Sequence, residues 1–311
     1  MDFSSFTEVS VAVKLRAWLE LMRPANIITA FADILAGFAV AGGGIIYAAG
    51  GFYFPLAPPG WLLLATFGLY GGGVVINDVF DAELDARERP ERPIPSGRTS
   101  RTEAGVLGAV LLLGGIISAF QVNVTAGAIA LAVMAGALLY DGWAKQYTVW
   151  GPLVMGMCRG GNLLLGVSIV PAAVFEFWFL GAVPIVYIAA ITLISQGEVH
   201  GGTGKTGISS LIMLTLVFAA LAGLAFYIPD FNLPAAAVML VLLASLVLPA
   251  FIRAARSPTP GLIKNAVKRG VISLIILNAV IAAGFAGWMT GVIVLLLLPL
   301  SLALERLFAV T

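Results

Sequence analysis

The sequence predicts an all-α, polytopic bundle of nine or ten membrane-spanning helices that forms a single integral domain over residues 1–311. Three observations carry this. The chain is 60% hydrophobic and 11% charged, with a mean hydropathy of +1.03, where a soluble domain carries roughly 25% charge. Apolar runs of about 18 residues or more recur along its whole length, the length a helix needs to cross a bilayer. Its lysines and arginines, finally, gather at alternate connections. In lipid the backbone must satisfy its own hydrogen bonds, so helices are the default spanning structure, and no strand-like alternation of a β-barrel is visible.

The expected helices cover about residues 16–42, 61–80, 102–120, 123–140, 152–171, 177–196, 208–228, 233–252, 268–287 and 291–306. The first holds Arg23-Pro24 near its start and Asp33 inside. The second begins at Trp61 and stays apolar to Ile76. The third follows an arginine-rich loop, and the fourth ends at Tyr140. The fifth carries Arg159 and Asn162, with Gly156 and Gly160 at the small-xxx-small spacing that allows close helix packing; Gly68 and Gly72 repeat it in the second. The sixth ends at Gln196 and a glycine-rich turn. The last two are separated only by Gly287–Gly291, so the count is nine or ten.

With ten spans, all 17 basic residues fall at one side of the bundle or at the helix ends nearest it. The opposite connections (43–60, 121–122, 172–176 and 229–232) have none. The positive-inside rule makes the basic side cytoplasmic, which predicts a multi-pass protein, of a bacterial cytoplasmic membrane, whose site opens to the cytoplasm. The start of the chain lacks a cleavable-signal pattern, so the first helix is expected to act as its own insertion signal. A single cysteine, Cys158, excludes an intrachain disulfide and a cysteine-based zinc site.

The densest chemistry is Asn77-Asp78-Val79-Phe80-Asp81-Ala82-Glu83-Leu84-Asp85, followed by Arg92-Pro93-Ile94-Pro95-Ser96-Gly97. On a helix Asn77, Asp81 and Asp85 share one stripe, with Asp78 beside Asp81. They stand at a helix C-terminus, where the macrodipole disfavours negative charge, and at a membrane edge, so they need cations. Mg²⁺ suits such ligands, taking a few carboxylates plus phosphate oxygens, and nearby arginines suit the same phosphates. The plainer reading is a solvated helix end whose acids pair with Arg87, Arg89 and Arg92; Glu83, Glu88 and Glu91 fit it.

Asn-Asp-x-x-Asp-x-x-x-Asp followed by Arg-Pro-Ile-Pro-Ser-Gly resembles the first signature of the UbiA family of intramembrane prenyltransferases. Arg23-Pro24-Ala25-Asn26 is similar to that family's Arg-Pro-x-Asn element. Tyr140, Lys145 and the stretch Gly156–Gly166 with Arg159 resemble its central segment. The resemblance implies a helical bundle around a lipid-facing cavity, in which Asp78, Asp81 and Asp85 bind Mg²⁺ and the diphosphate of a polyprenyl donor. It further implies that ionisation gives an allylic cation, which an aromatic or other lipophilic acceptor captures. Asn26, Asn77, Arg92, Lys145, Arg159 and Asn162 would complete the substrate pocket. The expected partners are polyprenyl diphosphate, the acceptor and membrane lipid, with no nucleic acid.

The match departs after the sixth helix. Gln196, Val199 and Thr203 stand where a second aspartate motif is expected, leaving Glu198 and His200 as the polar candidates beside the substrate. The Glu-Val-His-Gly-Gly pattern is similar to the divergent EboC-like branch of the family. Gly204-Lys205-Thr206 is not a P-loop, because Val199 occupies the position of its first glycine. Asp33 is an intramembrane carboxylate, functional by default or a protonated helix–helix contact. Asn162, Gln196 and Asn278 suit helix–helix hydrogen bonding. The rival to an enzyme is a non-catalytic isoprenoid-binding or trafficking protein, favoured by the missing aspartates; a transporter is the third reading, without the repeat symmetry such proteins show.

Overall fold

A computed structural model describes residues 10–44, 46–48, 51–53, 57–198 and 201–308. The chain enters through α1 (Val11–Met22) and α2 (Pro24–Val40), which meet at 46°. A two-stranded antiparallel hairpin follows, β1 (Ile46–Ala48) and β2 (Gly51–Tyr53), with Ile46 opposite Tyr53. Then come α3 (Ala57–Phe80), α4 (Ala82–Glu88), α5 (Arg101–Phe120), α6 (Val124–Gly142), α7 (Trp150–Val167), α8 (Pro171–Phe177) and α9 (Ala182–Ser195). The chain closes with α10 (Gly204–Tyr227), α11 (Leu233–Arg256), α12 (Pro260–Ile272), α13 (Leu274–Leu295) and α14 (Leu297–Phe308).

Among the described residues, seven helical segments are long and apolar enough to cross a membrane, and the bent pair α1–α2 makes an eighth. The shorter α7, which carries Arg159 and Asn162, lies between α2, α6 and α9. The last apolar segment, Pro260–Phe308, is 49 residues long and folds back on itself. Gly287 breaks α13 with φ 82° and ψ 169°, a conformation that a β-carbon would strain. A β-carbon on Gly291 would sit 2.7 Å from Ala283 Cβ, so the return stroke lies against the outgoing one. Lys268 Nζ and Glu305 Oε1 meet at 2.6 Å, joining their far ends. The Gly287–Gly291 stretch thus separates two strokes, as the ten-helix count expects.

Other contacts define two ends. Asn123 Nδ2 donates to Ser168 O (2.7 Å) and Asn232 N to Gly284 O (2.7 Å) at the end that lacks basic residues. Lys145 reaches Asp81, and Gly202 N donates to Pro258 O (3.0 Å), at the basic end. The fourth, fifth and sixth expected helices match α6, α7 and α9, whereas α8 fills the expected 172–176 connection, with Pro171 starting its first turn. The first does not run unbroken: Arg23 adopts φ 50°, ψ 66° and splits it. Pro24 is the reason, because a residue before proline is disfavoured in the right-handed helical region and proline suits the first turn of the next helix. Likewise α12 is a separate helix, which the expected 268–287 span merged into its successor.

Helices approach closely where glycines repeat. A β-carbon on Gly68 would lie 2.3 Å from Leu111 O, and on Gly72 2.8 Å from Gly108 O, so α3 and α5 touch backbone to backbone. Gly156 and Gly160 do the same for α7: β-carbons there would lie 2.5 Å from Ile185 O and 2.5 Å from Gly181 O. The main core gathers Tyr187, Leu214, Leu243, Phe251 and the buried face of α13. A second core joins Ile34, Leu62, Leu112 and Leu165.

Candidate active site

The acidic stripe lies at the basic end. α3 stops at Phe80, Asp81 forms the turn, and α4 resumes at Ala82. Backbone bonds from Asp81 N to Asn77 O (2.9 Å) and from Asp85 N to Asp81 O (2.8 Å) keep the helical register across the break. Asp78 and Asp85 are both buried at 5% exposure.

Three cations answer the stripe, each from a different element. Arg23, whose left-handed backbone is a local strain, places Nη2 2.6 Å from Asp78 Oδ1. Arg92 Nη1 lies 2.7 Å from Asp85 Oδ2 and 3.4 Å from Asp78 Oδ1. The turns of Pro93–Gly97 bring it there: Ser96 N donates to Arg92 O (3.0 Å), and Gly97 takes φ 74°. Lys145, in the short helical turn Ala144–Gln146 after α6, sets Nζ 2.5 Å from Asp81 Oδ1 and over the Phe80 ring. Asn77 Nδ2 donates to Asp141 Oδ1 at 2.6 Å. By contrast Glu83 and Glu88 are exposed, and Glu83 reaches only Arg101, at 3.4 Å.

Two of the carboxylates, Asp78 and Asp85, converge on a single Arg92 nitrogen. Oxygens that share one cationic centre suit a hard metal ion, which would take these carboxylates together with phosphate oxygens. Among the described residues no three metal-ligating side chains meet at one point, and Asp81 pairs with Lys145.

Arg159 and Asn162 lie in a separate, deeper network. Arg159 Nε contacts Asp33 Oδ2 at 2.6 Å as an ion pair, its N–H off the line to that oxygen. Arg159 Nη2 donates to Thr29 Oγ1 (3.0 Å), and the guanidinium sits 5.7 Å from the Tyr70 ring centroid. Asn162 Nδ2 donates to Asp33 Oδ2 (2.9 Å) and Ala30 O (3.0 Å), while Thr66 donates to Asn162 Oδ1 (2.7 Å). Asn278 Nδ2 completes the set on Asp33 Oδ1 at 2.6 Å. Asp33 is fully buried, so the intramembrane carboxylate is paired, and Asn162 and Asn278 join helices as expected.

Asn26 and Glu198 face a third region, a cavity of about 440 Å³ at the same end that also receives Arg23, Arg89, Lys264 and Lys268. Burial pushes the Glu198 carboxyl above its ordinary range, and Lys264 and Arg89 pull it back down. His200 lies outside the described residues. Sequence reasoning missed Asp141, a carboxylate closing an apolar run as Asp78 does. It also missed Lys264 and Lys268, whose i, i+4 spacing on an amphipathic helix was the available signal.

The profile of the UbiA prenyltransferase family matches residues 35–266. The chain belongs to this family. It is 34% identical over 195 residues to digeranylgeranylglyceryl phosphate synthase of Methanosarcina mazei, covering 60% of this chain and 64% of that protein. It is 32% identical over 187 residues to the protein of the same name from Saccharolobus solfataricus, covering 59% and 62%. The matched part thus spans 47–64% of the length of these curated relatives. Among solved structures, a UbiA homolog from Aeropyrum pernix K1 superposes with a TM-score of 0.68 at 19% identity over 82% of this chain and 96% of that one. A UbiA homolog from Archaeoglobus fulgidus, bound to DMAPP and Mg²⁺, superposes at 0.51 with 15% identity over 94% and 99%. The multi-pass helical-bundle fold of the family is therefore the fold of this chain, with one short hairpin between α2 and α3.

Proposed function

We propose that this chain is a Mg²⁺-assisted intramembrane prenyltransferase, transferring a polyprenyl group from its diphosphate to a lipophilic acceptor. The observation that carries it is the stripe Asp78–Asp81–Asp85 at a membrane edge, interlocked with Arg23, Arg92 and Lys145. Buried carboxylates and cations that neutralise one another at such an edge are costly to assemble. The set fits a diphosphate with its metal: Asp78, Asp81 and Asp85 would hold the ion, and Arg23, Arg92 and Lys145 would bind phosphate oxygens. The curated relatives named digeranylgeranylglyceryl phosphate synthase and the homolog bound to DMAPP and Mg²⁺ support a prenyl diphosphate donor.

On this reading Asp78, Asp81 and Asp85 hold Mg²⁺. When bound, the ion screens the negative charge that grows on the departing diphosphate. Arg92 and Lys145 bind the same oxygens, Arg as a fork and Lys as a point charge. Asn77, tied to Asp141, fixes the start of the stripe. The allylic carbon–oxygen bond breaks with its electron pair leaving on diphosphate, and the acceptor's nucleophilic atom bonds to the allylic carbon and loses its proton. Arg159 and Asn162, held by Asp33, form the polar floor beneath, and the basic end faces the cytoplasm.

The test is Mg²⁺-dependent release of diphosphate from an allylic polyprenyl diphosphate, with Asp81→Asn as the comparison. The binding or trafficking reading has one observation in its favour: in the turn after α9, Glu198 is the one carboxylate among the described residues. A protein of that kind would retain prenyl lipid without releasing diphosphate.

A further inference from the structure

The cavity of about 440 Å³ is walled by the start of α2, the loop after α4, the turn after α9, α12 and α14. It is large enough for a small-molecule headgroup. Four cations line it, Arg23, Arg89, Lys264 and Lys268, against two carboxylates, Glu198 and Glu305. The cations are not equally engaged. Arg23 is committed to Asp78 and Lys268 to Glu305, each at 2.6 Å. Among the described residues, the side chains of Arg89 and Lys264 make no hydrogen bond or close ion pair. Two cations, from a loop and from α12, therefore face one concave space without a countercharge in contact. Asn26 adds an amide at the wall. Arg23 stands between this cavity and the aspartate stripe, touching both.

We propose that this cavity is a second oxyanion site, in which Arg89 and Lys264, with Asn26 and Lys268 beside them, bind a phosphate or diphosphate group. The inference rests on the prenyltransferase reading for its place in the reaction, but not for its charge. It supplies by side chains the positive charge that the turn after α9, which lacks the expected aspartates, does not supply as a second metal. Two sources have the same chemistry: the far phosphate of the donor diphosphate, reaching past Arg23 from the aspartate stripe, or a phosphate headgroup on the acceptor.

The experiment uses the full chain in detergent. Binding of inorganic pyrophosphate without Mg²⁺ is measured calorimetrically for wild type, Lys264→Ala, Arg89→Ala/Lys264→Ala and the charge-keeping Lys264→Arg. The double variant is expected to weaken binding at least tenfold and Lys264→Arg to stay within threefold of wild type. Binding unchanged within twofold in the double variant, or no pyrophosphate binding by wild type, overturns the site. A C20 allylic diphosphate and a monoalkylglycerol phosphate, which keeps a free hydroxyl, then separate the sources: the double variant weakens only the first if the donor uses the cavity, and only the second if the acceptor does. Loss of neither contradicts the proposal. If wild type binds pyrophosphate through these residues yet releases no diphosphate from a prenyl donor, the prenyltransferase reading fails and the oxyanion site stands.

Discussion

Asp33→Ala tests the buried network directly. In the wild type the carboxylate is fully buried and receives Arg159, Asn162 and Asn278 at 2.6, 2.9 and 2.6 Å. Its loss does not strand the amides, since Asn162 keeps Ala30 O and Asn278 keeps Leu274 O. It strands Arg159, at 6% exposure, with Thr29 and the Tyr70 face as its remaining partners. Removing one member of a buried ion pair costs about 3–5 kcal/mol, because the other charge is left uncompensated. At about 2 °C per kcal/mol for a long chain, the melting temperature should fall by roughly 6–10 °C. The double variant Asp33→Leu/Arg159→Met removes both charges and should recover most of that loss, since apolar replacement of a buried pair is often neutral. Thermal unfolding of the detergent-solubilised protein, followed by tryptophan fluorescence, measures all three chains. Additive losses in the double variant, or an Asp33→Ala protein that melts within 2 °C of wild type (about 1 kcal/mol on the same scale), would refute the reasoning.

Three further outcomes follow from the geometry. Lys145→Ala removes the 2.5 Å contact to Asp81 and, on the proposed function, a charged hydrogen bond of about 1.5–3 kcal/mol to the diphosphate. Turnover measured as diphosphate release should drop roughly ten- to a hundredfold. The Glu198 carboxyl is raised by burial, with Lys264 and Arg89 opposing. Protonation below that raised value removes a negative charge from the cavity, so sulfate affinity, read by calorimetry, should strengthen as pH falls and weaken as pH rises through it; Glu198→Gln should abolish this slope. Gly68→Val would drive a side chain into the Leu111 carbonyl, 2.3 Å from the first added carbon. The backbone of α5 must move, which costs more than the about 1–3 kcal/mol of ordinary overpacking, and size-exclusion profiles should show the folded peak lost.

Much of the fold was legible because bilayer length, apolar runs and charge placement are local quantities. The glycine repeats of α3 and α7 announced close packing, and Asn77–Asp85 announced its own stripe. Other features depend on distant parts of the chain. Nothing in the first helix says that Asp33 will meet Arg159 and Asn278, because those pairings are set by how α2, α7 and α13 pack. The break at Arg23 was readable from Pro24, but the apolar residues Trp18, Leu19, Leu21 and Met22 before it led straight into the apolar run after it and masked it. Glu198 was read as a polar candidate beside the substrate; its position among Arg89 and Lys264 required α12 to lie across the turn. Arg159 was expected beside the diphosphate; its ion pair with Asp33 joins α7 to α2 and could not be read from either segment alone.

The most direct test of the central claim is the release of diphosphate from a polyprenyl diphosphate by the purified protein, with Mg²⁺ and with EDTA, for wild type and Asp81→Asn. The account predicts release by wild type with Mg²⁺ alone, and none from the variant. Retention of intact lipid by both proteins in Mg²⁺, without diphosphate release, would contradict it and make this chain a binding protein.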